Sequence, residues 1–171
     1  KSYAERLFEF PEIGPLPRHD TEAALLIPAH DESIDIAPDA LTRLVDESGG
    51  YPYFIQEWGK QAWNQAADNV ITIDDVAAAE PVVVAALDRD FFRVRFDRLT
   101  PKEREYLRAM AELGSGPHRS GEIAAQLGVR VESVAPRRSM LIKKGMIYSP
   151  AHGDAAFTVP LFDEFLKRVM P

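Results

Sequence analysis

The order of helix and turn signals in residues 99–171 restricts the fold of this chain more than any other feature. Thr100, Pro101 and Glu103 combine a capping threonine, a proline at the first helical position and a glutamate that closes a capping box. This signature predicts a helix that runs to about Leu113, where the glycines of "GSGPHRS" turn the chain. Both ends of this first helix can therefore be predicted from residue types.

Two further helices are predicted after that turn. Ser120 can cap a short helix, "GEIAAQLG", which ends at its last glycine. The stretch "VRVESVAPRRSMLIKKG" then predicts a longer helix that Gly145 terminates. Because a proline is tolerated only in the first helical turn, Pro136 places the start of this helix at Glu132 or Ser133.

A short hairpin and a final helix complete this half. "MIYSP" and "AAFTV" alternate apolar and polar residues on either side of the polar tip "AHGD", which predicts two antiparallel strands. "PLFDEFLKRVM" has the period of an amphipathic helix. The order helix, helix, short turn, helix and hairpin predicts a winged helix-turn-helix domain over residues 99–171.

The stretch "SGEIAAQLGVRVESVAPRRSMLIKKGMIY" resembles the pattern shared by winged-helix transcription regulators. In that pattern a small helix, a glycine turn and a second helix that ends in basic-basic-glycine lead into the wing. If the domain binds double-stranded DNA, its recognition helix and wing tip supply contacts to phosphates and to guanine. The candidate nucleic-acid-binding residues are Arg130, Arg137, Arg138, Lys143, Lys144 and His152.

The composition of the wing keeps other functions open. "SPAHGDAA" contains no Lys or Arg and carries Asp154, which weakens insertion of the wing into a DNA groove. The same basic helix could instead dock on an acidic surface, as part of a protein-protein or autoinhibitory module. A free-standing transcription regulator is a further alternative.

Charge divides the chain near position 97. Residues 1–96 carry 8 Lys and Arg against 18 Asp and Glu, and residues 97–171 carry 12 Lys and Arg against 9 Asp and Glu. The net charge of the whole chain is −7. An acidic surface repels polyanions and a basic surface attracts them, so the two halves are expected to have different partners.

The acidic half predicts a helical bundle over residues 18–80. Its first helix is expected to end at Pro28, a second to run from Pro38 to a terminator at Gly49, and a third to begin at Tyr51 or Pro52. The apolar stripe of the third helix indicates core positions, including Trp58 and Trp63.

Two connecting segments flank this bundle. Residues 1–17 begin with a helical pattern and continue into the proline-rich "PEIGPLP", which predicts a connector. Pro81 is expected to begin a linking helix over residues 81–98. The predicted fold is therefore mainly α, with an acidic helical bundle followed by a winged helix-turn-helix domain that has a short β-hairpin wing.

The junction "ESGGYPYFIQEW" places two glycines and a proline immediately before the third helix. A capped helix end followed by a proline helix start is one explanation of it. The run "GGYPYFIQ" also resembles "GGYPYFLQ", which archaeal and bacterial ATPases of the AAA+-related STAND type carry in the helical lid after their nucleotide-binding core. The likeness extends more loosely from "KSYAERLFEFPEIGPL" to "SPAHGDAAFTVPLF" and thus covers nearly the whole chain.

This resemblance implies that the chain is the lid and winged-helix portion of a P-loop ATPase. Residues 1–17 would lead out of a missing N-terminal P-loop core, and ATP or ADP would bind only in the full-length protein. The resemblance places Gly50, Tyr51 and Pro52 against the nucleotide base. A lid that changes its contacts with nucleotide state can couple that state to DNA binding by the attached domain. The phosphate-sensing arginine of many AAA+ lids has no counterpart at the matching helix start.

The sequence carries no sign of a catalytic site of its own. Gly59 and Lys60 form a "GK" pair, but residue 54 is phenylalanine, so the phosphate-loop spacing fails. The four histidines lack metal-ligand spacing, and no catalytic residue or metal site is predicted. With no cysteine, no signal-like start and no apolar stretch of about 18 residues, we expect a cytoplasmic location without membrane contact.

Overall fold

The computed structural model describes residues 14–171. The chain divides into two compact units, Lys1–Val83 and Val84–Pro171. The helix predicted in "KSYAERLFEF" and the first part of the predicted connector lie outside the described residues.

In the first unit, three helices pack on one another, and a fourth helix follows them and ends three residues past Val83. A two-residue parallel pair links two loops beside them, joining Asp35 to Val70 and Ile36 to Ile71. The third of these helices, α3 (Pro52–Gln65), buries Phe54, Trp58 and Ala62 in this unit. The elements in chain order are α1 (Arg18–Asp31), β1 (Asp35–Ile36), α2 (Pro38–Ser48), α3 (Pro52–Gln65), β2 (Val70–Ile71) and α4 (Ile73–Ala86).

Two prolines do not end or begin helices as predicted. Pro28 lies inside α1, and Pro81 lies inside α4, so α1 continues to its own last turn and no new helix starts at residue 81. A proline removes one backbone hydrogen bond but leaves the others of the helix in place. Ala29 and Val83 are buried just beyond the two prolines, and their packing holds the helix on that side. Tertiary burial therefore outweighs the local break.

The prediction that Trp63 belongs to the core is wrong. Trp58 is 2% exposed, but Trp63 is 38% exposed. Five residues along an α-helix turn the side chain by about 140° beyond one full revolution, so the two rings lie on different faces. Ala62 occupies the buried position one turn after Trp58.

The second unit is a winged-helix-like domain, as predicted. Its strands form an antiparallel sheet in the order β3 (His118–Arg119), β5 (Asp154–Phe157), β4 (Ile147–Tyr148). The predicted hairpin is the β4–β5 pair, which joins Ile147 to Phe157. The elements are a π-helical turn (Leu87–Phe92), α5 (Arg93–Phe96), α6 (Pro101–Leu113), β3 (His118–Arg119), α7 (Ser120–Gln126), a 3₁₀ turn (Val131–Ser133), α8 (Ala135–Lys143), β4 (Ile147–Tyr148), β5 (Asp154–Phe157) and α9 (Phe162–Val169).

The capping box of α6 is present as the sequence predicts. The N–H of Thr100 donates to the Glu103 carboxylate at 2.7 Å, and the Thr100 hydroxyl accepts from the Glu103 N–H at 3.4 Å. Strand β3 was not predicted, because two residues within a turn sequence carry no periodic signal. His118 pairs with Ala155, so β3 adds a third strand to the hairpin.

Helix α8 begins later than predicted. A helix that began at Ser133 would need a hydrogen bond from the nitrogen of Pro136 to the carbonyl of Glu132, and proline has no N–H to donate. The chain makes a 3₁₀ turn instead, and the first α-helical bond runs from Arg138 to the carbonyl of Val134 at 2.9 Å. Pro136 then lies in the first turn, where it is tolerated.

A cluster of phenylalanines joins the start of the second unit to its last helix. Phe165 is fully buried, and its ring stacks on Phe92 at 5.3 Å and on Phe162 at 5.6 Å between centroids. Phe96 meets the Phe165 ring edge-on at 5.7 Å. The aromatic residues of the predicted linking helix therefore form part of the core of the second unit.

Within the described residues, no helix has both the length and the apolar character of a membrane span.

Candidate functional sites

Helix α8 and the residue before its 3₁₀ turn carry a basic surface, in which Arg130 and Lys143 are exposed and Arg137 is half-buried. Val134 and Leu141 are fully buried and fix the inner face of this segment. The outer face includes Met140, which is 46% exposed. Among the residues that the structure describes, Lys144 alone of the six predicted nucleic-acid contacts has an acidic partner within ion-pair distance. Arg130, Arg137 and Lys143 also make no side-chain hydrogen bond within this part of the chain.

Arg138 holds the wing. Its Nη2 donates to the Ser149 hydroxyl at 2.7 Å and to the carbonyl of Asp154 at 2.6 Å. Ser149 follows β4 and Asp154 begins β5, so one guanidinium ties α8 to both arms of the hairpin. The same guanidinium lies near Tyr106; burial raises the pKa of that phenol, and the Arg138 charge lowers it in part. Arg138 therefore has a positioning role in this structure.

Lys144 is also engaged within the domain. Its Nζ donates to Glu103 at 2.7 Å and to the carbonyl of Arg98 at 3.0 Å. Glu103 is 5% exposed, and burial acts to raise the pKa of its carboxyl. Hydrogen bonds from Lys144 and Thr100 outweigh that effect, so the pKa lies below the usual value and the carboxylate stays charged. The charge of Lys144 is thereby neutralised.

His152 lies at the exposed tip of the wing, between the two strands. The next residue, Gly153, anchors this tip, because its carbonyl accepts hydrogen bonds from the N–H and the hydroxyl of Ser120, both at 3.0 Å. The tip is thus attached to the start of α7, and His152 projects from an ordered turn.

The two glycines of the "GGYP" junction have separate structural explanations. Gly49 ends α2 in the left-handed conformation, with φ of 57°. Gly50 has φ of 69°, and a Cβ at this position would lie 2.5 Å from the carbonyl oxygen of Leu16. The N–H of Leu16 also donates to the Gly50 carbonyl at 2.8 Å. Gly50 is therefore required by the close passage of the connector.

The three predicted nucleotide-contact residues differ in their exposure to solvent. Gly50 is buried beneath Leu16, and Tyr51 is half-buried with its ring 4.8 Å from that of Phe54. Pro52 is the first residue of α3 and is exposed. Pro52 is therefore the most accessible of the three residues to a ligand.

An apolar groove of about 460 Å³ extends from Pro52 along α3. Sequence reasoning missed it, because residues from α1, α3 and both short strands meet there only in the folded unit. One sign of close packing was present in the sequence: Gly59 allows α3 to approach α1, and a Cβ there would lie 3.1 Å from Leu25. Residues that line the groove include Leu16, Pro28, Ile36, Pro52, Lys60 and Trp63.

A family model described as a domain of unknown function (DUF8462) matches residues 89–166. No curated protein matches the sequence of the chain.

Among solved structures, the chain is similar to RuvB of Thermotoga maritima, an AAA+ P-loop ATPase. The structure of that Holliday junction branch migration motor is 19% identical, with a TM-score of 0.43, over 91% of this chain and 50% of that chain. A single-substitution variant of RuvB is 18% identical, also with a TM-score of 0.43, over 94% of this chain and 51% of that chain. The chain spans about half the length of the solved structures that it matches.

Proposed function

We propose that this chain is the lid and winged-helix portion of a P-loop ATPase, and that its second unit binds double-stranded DNA through α8. The observation that carries the DNA proposal is the group of cations on and beside α8 of a winged-helix scaffold, with Arg130 and Lys143 exposed and Arg137 half-buried. Catalysis belongs, on this proposal, to the nucleotide-binding core of the full-length protein and not to residues of this chain.

The arrangement of α8 suits contact with a DNA major groove. In helix-turn-helix proteins the N-terminal residues of the recognition helix reach the base edges, and Arg137 lies in the first turn of α8. Arg130 precedes the 3₁₀ turn, and Lys143 is the last residue of the helix. Three phosphate contacts from these cations predict a slope of about −3 for the logarithm of affinity against the logarithm of salt concentration.

Replacing Arg137 by glutamine is expected to weaken duplex binding about tenfold at low salt and to reduce the salt slope by about 1. The physical reason is the loss of one charge-assisted contact to phosphate or guanine. Fluorescence anisotropy of a labelled duplex, recorded at salt concentrations from about 50 to 200 mM, measures both quantities. The affinity of phosphate-dominated binding falls steeply over this range.

Lys102→Gln is the matched control for this measurement. Lys102 lies on α6, is exposed, and pairs with Glu105 at 3.4 Å, so its loss removes one charge away from α8. If the unsubstituted chain does not bind any duplex at low salt, the DNA proposal is wrong. The basic face of α8 would then be assigned to the protein-protein or autoinhibitory alternative.

For the first unit we propose contact with the base of ATP or ADP in the full-length protein, coupling nucleotide state to the winged helix. Two features support it: the exposed ring of Pro52 at the start of α3, and the apolar groove that adjoins it. A rigid apolar ring next to a helix start suits stacking under a flat base. Gly50 and Tyr51 contribute by setting the position of Pro52.

Pro52→Ala is expected to weaken binding of a fluorescent nucleotide to the full-length protein about fivefold, because the apolar contact surface under the base is reduced. Pro38→Ala is the matched control, since Pro38 also begins a helix but does not line the groove. Equal affinities for the two variants would show that Pro52 has only a structural role.

A further inference from the structure

A second concavity, of about 590 Å³, lies within the second unit. It is bounded on one side by the end of α5 and on the other by the turn that leaves α8. Its walls are partly apolar and partly basic, and none of the residues that line it is acidic. The lining residues include Val94, Arg95, Arg98, Leu99, Lys144 and Met146.

Among residues 14–171, which the structure describes, no carboxylate pairs with either of the two guanidinium groups in this pocket. Arg95 is held in place by its own turn: Nη1 donates to the carbonyl of Phe91 at 2.9 Å, and the guanidinium carbon lies 3.7 Å from the centroid of the Phe91 ring. Arg98 is exposed, and its side chain makes no ion pair with any residue of the described chain. Both cations remain available for an external anion.

The nearby acids are already engaged with other cations. Glu103 accepts from Lys144, which places one neutral pair at the wall of the pocket. Asp97 is exposed and lies 3.9 Å from Arg104. The positive charge of Arg95 and Arg98 is therefore not cancelled locally, and it attracts an anion.

We propose that this pocket binds a phosphate group of the nucleic acid that α8 contacts. Arg95 and Arg98 are three residues apart, so they lie on one face of a helical turn, where two guanidinium groups can converge on one anion. Guanidinium groups match the oxygens of a phosphate, and the fixed orientation of Arg95 lowers the entropy lost on binding. That this phosphate belongs to a nucleic acid rests on the DNA binding proposed above.

The position of the pocket favours a nucleic-acid backbone over a separate acidic peptide. Lys144 forms its wall, and the adjacent Lys143 belongs to the basic surface of α8. The two basic surfaces are thus continuous along the chain at the end of the recognition helix. A duplex that α8 engages would carry its backbone past this point.

The first test compares duplex binding by the 171-residue chain and by its Arg98→Gln and Lys102→Gln variants. Loss of one phosphate contact is expected to reduce the salt slope by about 1 and to weaken binding about tenfold at low salt in Arg98→Gln. Lys102→Gln removes the same charge outside the pocket and is expected to leave the slope unchanged. Thermal melts followed by circular dichroism verify that both exposed substitutions leave the fold intact.

The second test titrates inorganic pyrophosphate into the chain and follows the Nε–H signals of Arg95 and Arg98 by nuclear magnetic resonance. If the unsubstituted chain binds duplex but Arg98→Gln behaves like Lys102→Gln, the pocket proposal is overturned while the α8 interface stands. If no duplex binds, the function proposed for α8 fails. In that case, a saturating shift of both arginine signals on addition of pyrophosphate supports a pocket that binds free phosphate groups. Unchanged arginine signals overturn the pocket proposal.

Discussion

Replacing Gly50 by alanine will destabilise the first unit by about 3 kcal/mol. The left-handed backbone at φ of 69° alone costs an alanine about 1 kcal/mol. The added Cβ would also lie 2.5 Å from the Leu16 carbonyl oxygen, a backbone atom that cannot move without disturbing the Leu16 to Gly50 hydrogen bond. Overpacking and partial loss of that bond account for about 2 kcal/mol more.

Trp58 and Trp63 are the two tryptophans of the chain, and both belong to the first unit, so fluorescence during urea unfolding reports this unit selectively. Gly145→Ala is the matched control; because Gly145 belongs to the second unit, its urea unfolding is followed by far-ultraviolet circular dichroism instead. Gly145 has the same φ of 69°, but a Cβ there would meet nothing within 4 Å, so only the conformational cost of about 1 kcal/mol is expected. Equal losses in the two variants would mean that the close passage of Leu16 does not constrain Gly50.

The second large effect is expected from Phe165→Ala, which should cost the second unit about 4 kcal/mol. The substitution removes a fully buried ring that contacts Phe92, Phe96 and Phe162, and large-to-small changes of this kind leave a cavity that the neighbours fill only in part. Urea unfolding followed by far-ultraviolet circular dichroism measures the loss.

Val131→Ala provides the comparison for Phe165, because Val131 is 45% exposed in the same unit and its truncation should change stability by less than about 0.5 kcal/mol. A loss below about 1 kcal/mol in Phe165→Ala would show that the phenylalanine cluster does not hold α9 to the start of the unit. Unchanged tryptophan fluorescence transitions are expected in both variants, since the two tryptophans lie in the first unit.

The internal contacts of Arg138 and Lys144 change the interpretation of the basic sequence "PRRSMLIKKG". All four of its cations are equivalent by composition, but only Arg137 and Lys143 present charge that is not used within the described domain. Arg138 positions the wing, and Lys144 neutralises a buried carboxylate. A duplex interface built on α8 would therefore use fewer cations than the sequence suggests.

Local residue types determined the helix boundaries that depend on caps. Thr100 and Glu103 form the predicted capping box, Pro38 and Pro52 begin helices, and Gly49 ends one, because these effects act within one turn of the chain. The order of cap, turn and hairpin signals likewise determined which half forms a winged helix. A single tryptophan such as Trp63, by contrast, could not be assigned to core or surface without the packing of its neighbours.

The amino-acid sequence by itself determined the mainly helical architecture, the order of its elements and the basic character of α8. Only the tertiary structure decided that Leu16 crosses Gly50, that Arg138 reaches the wing and that Arg95 and Arg98 line one pocket with Lys144. The physical reason is one of range. Caps and periodicity act over three or four residues. Leu16 and Gly50 are 34 positions apart, the two arginines and Lys144 are 46 and 49 apart, and Arg138 and Asp154 are 16 apart. Nothing local to either partner of such a contact encodes the other.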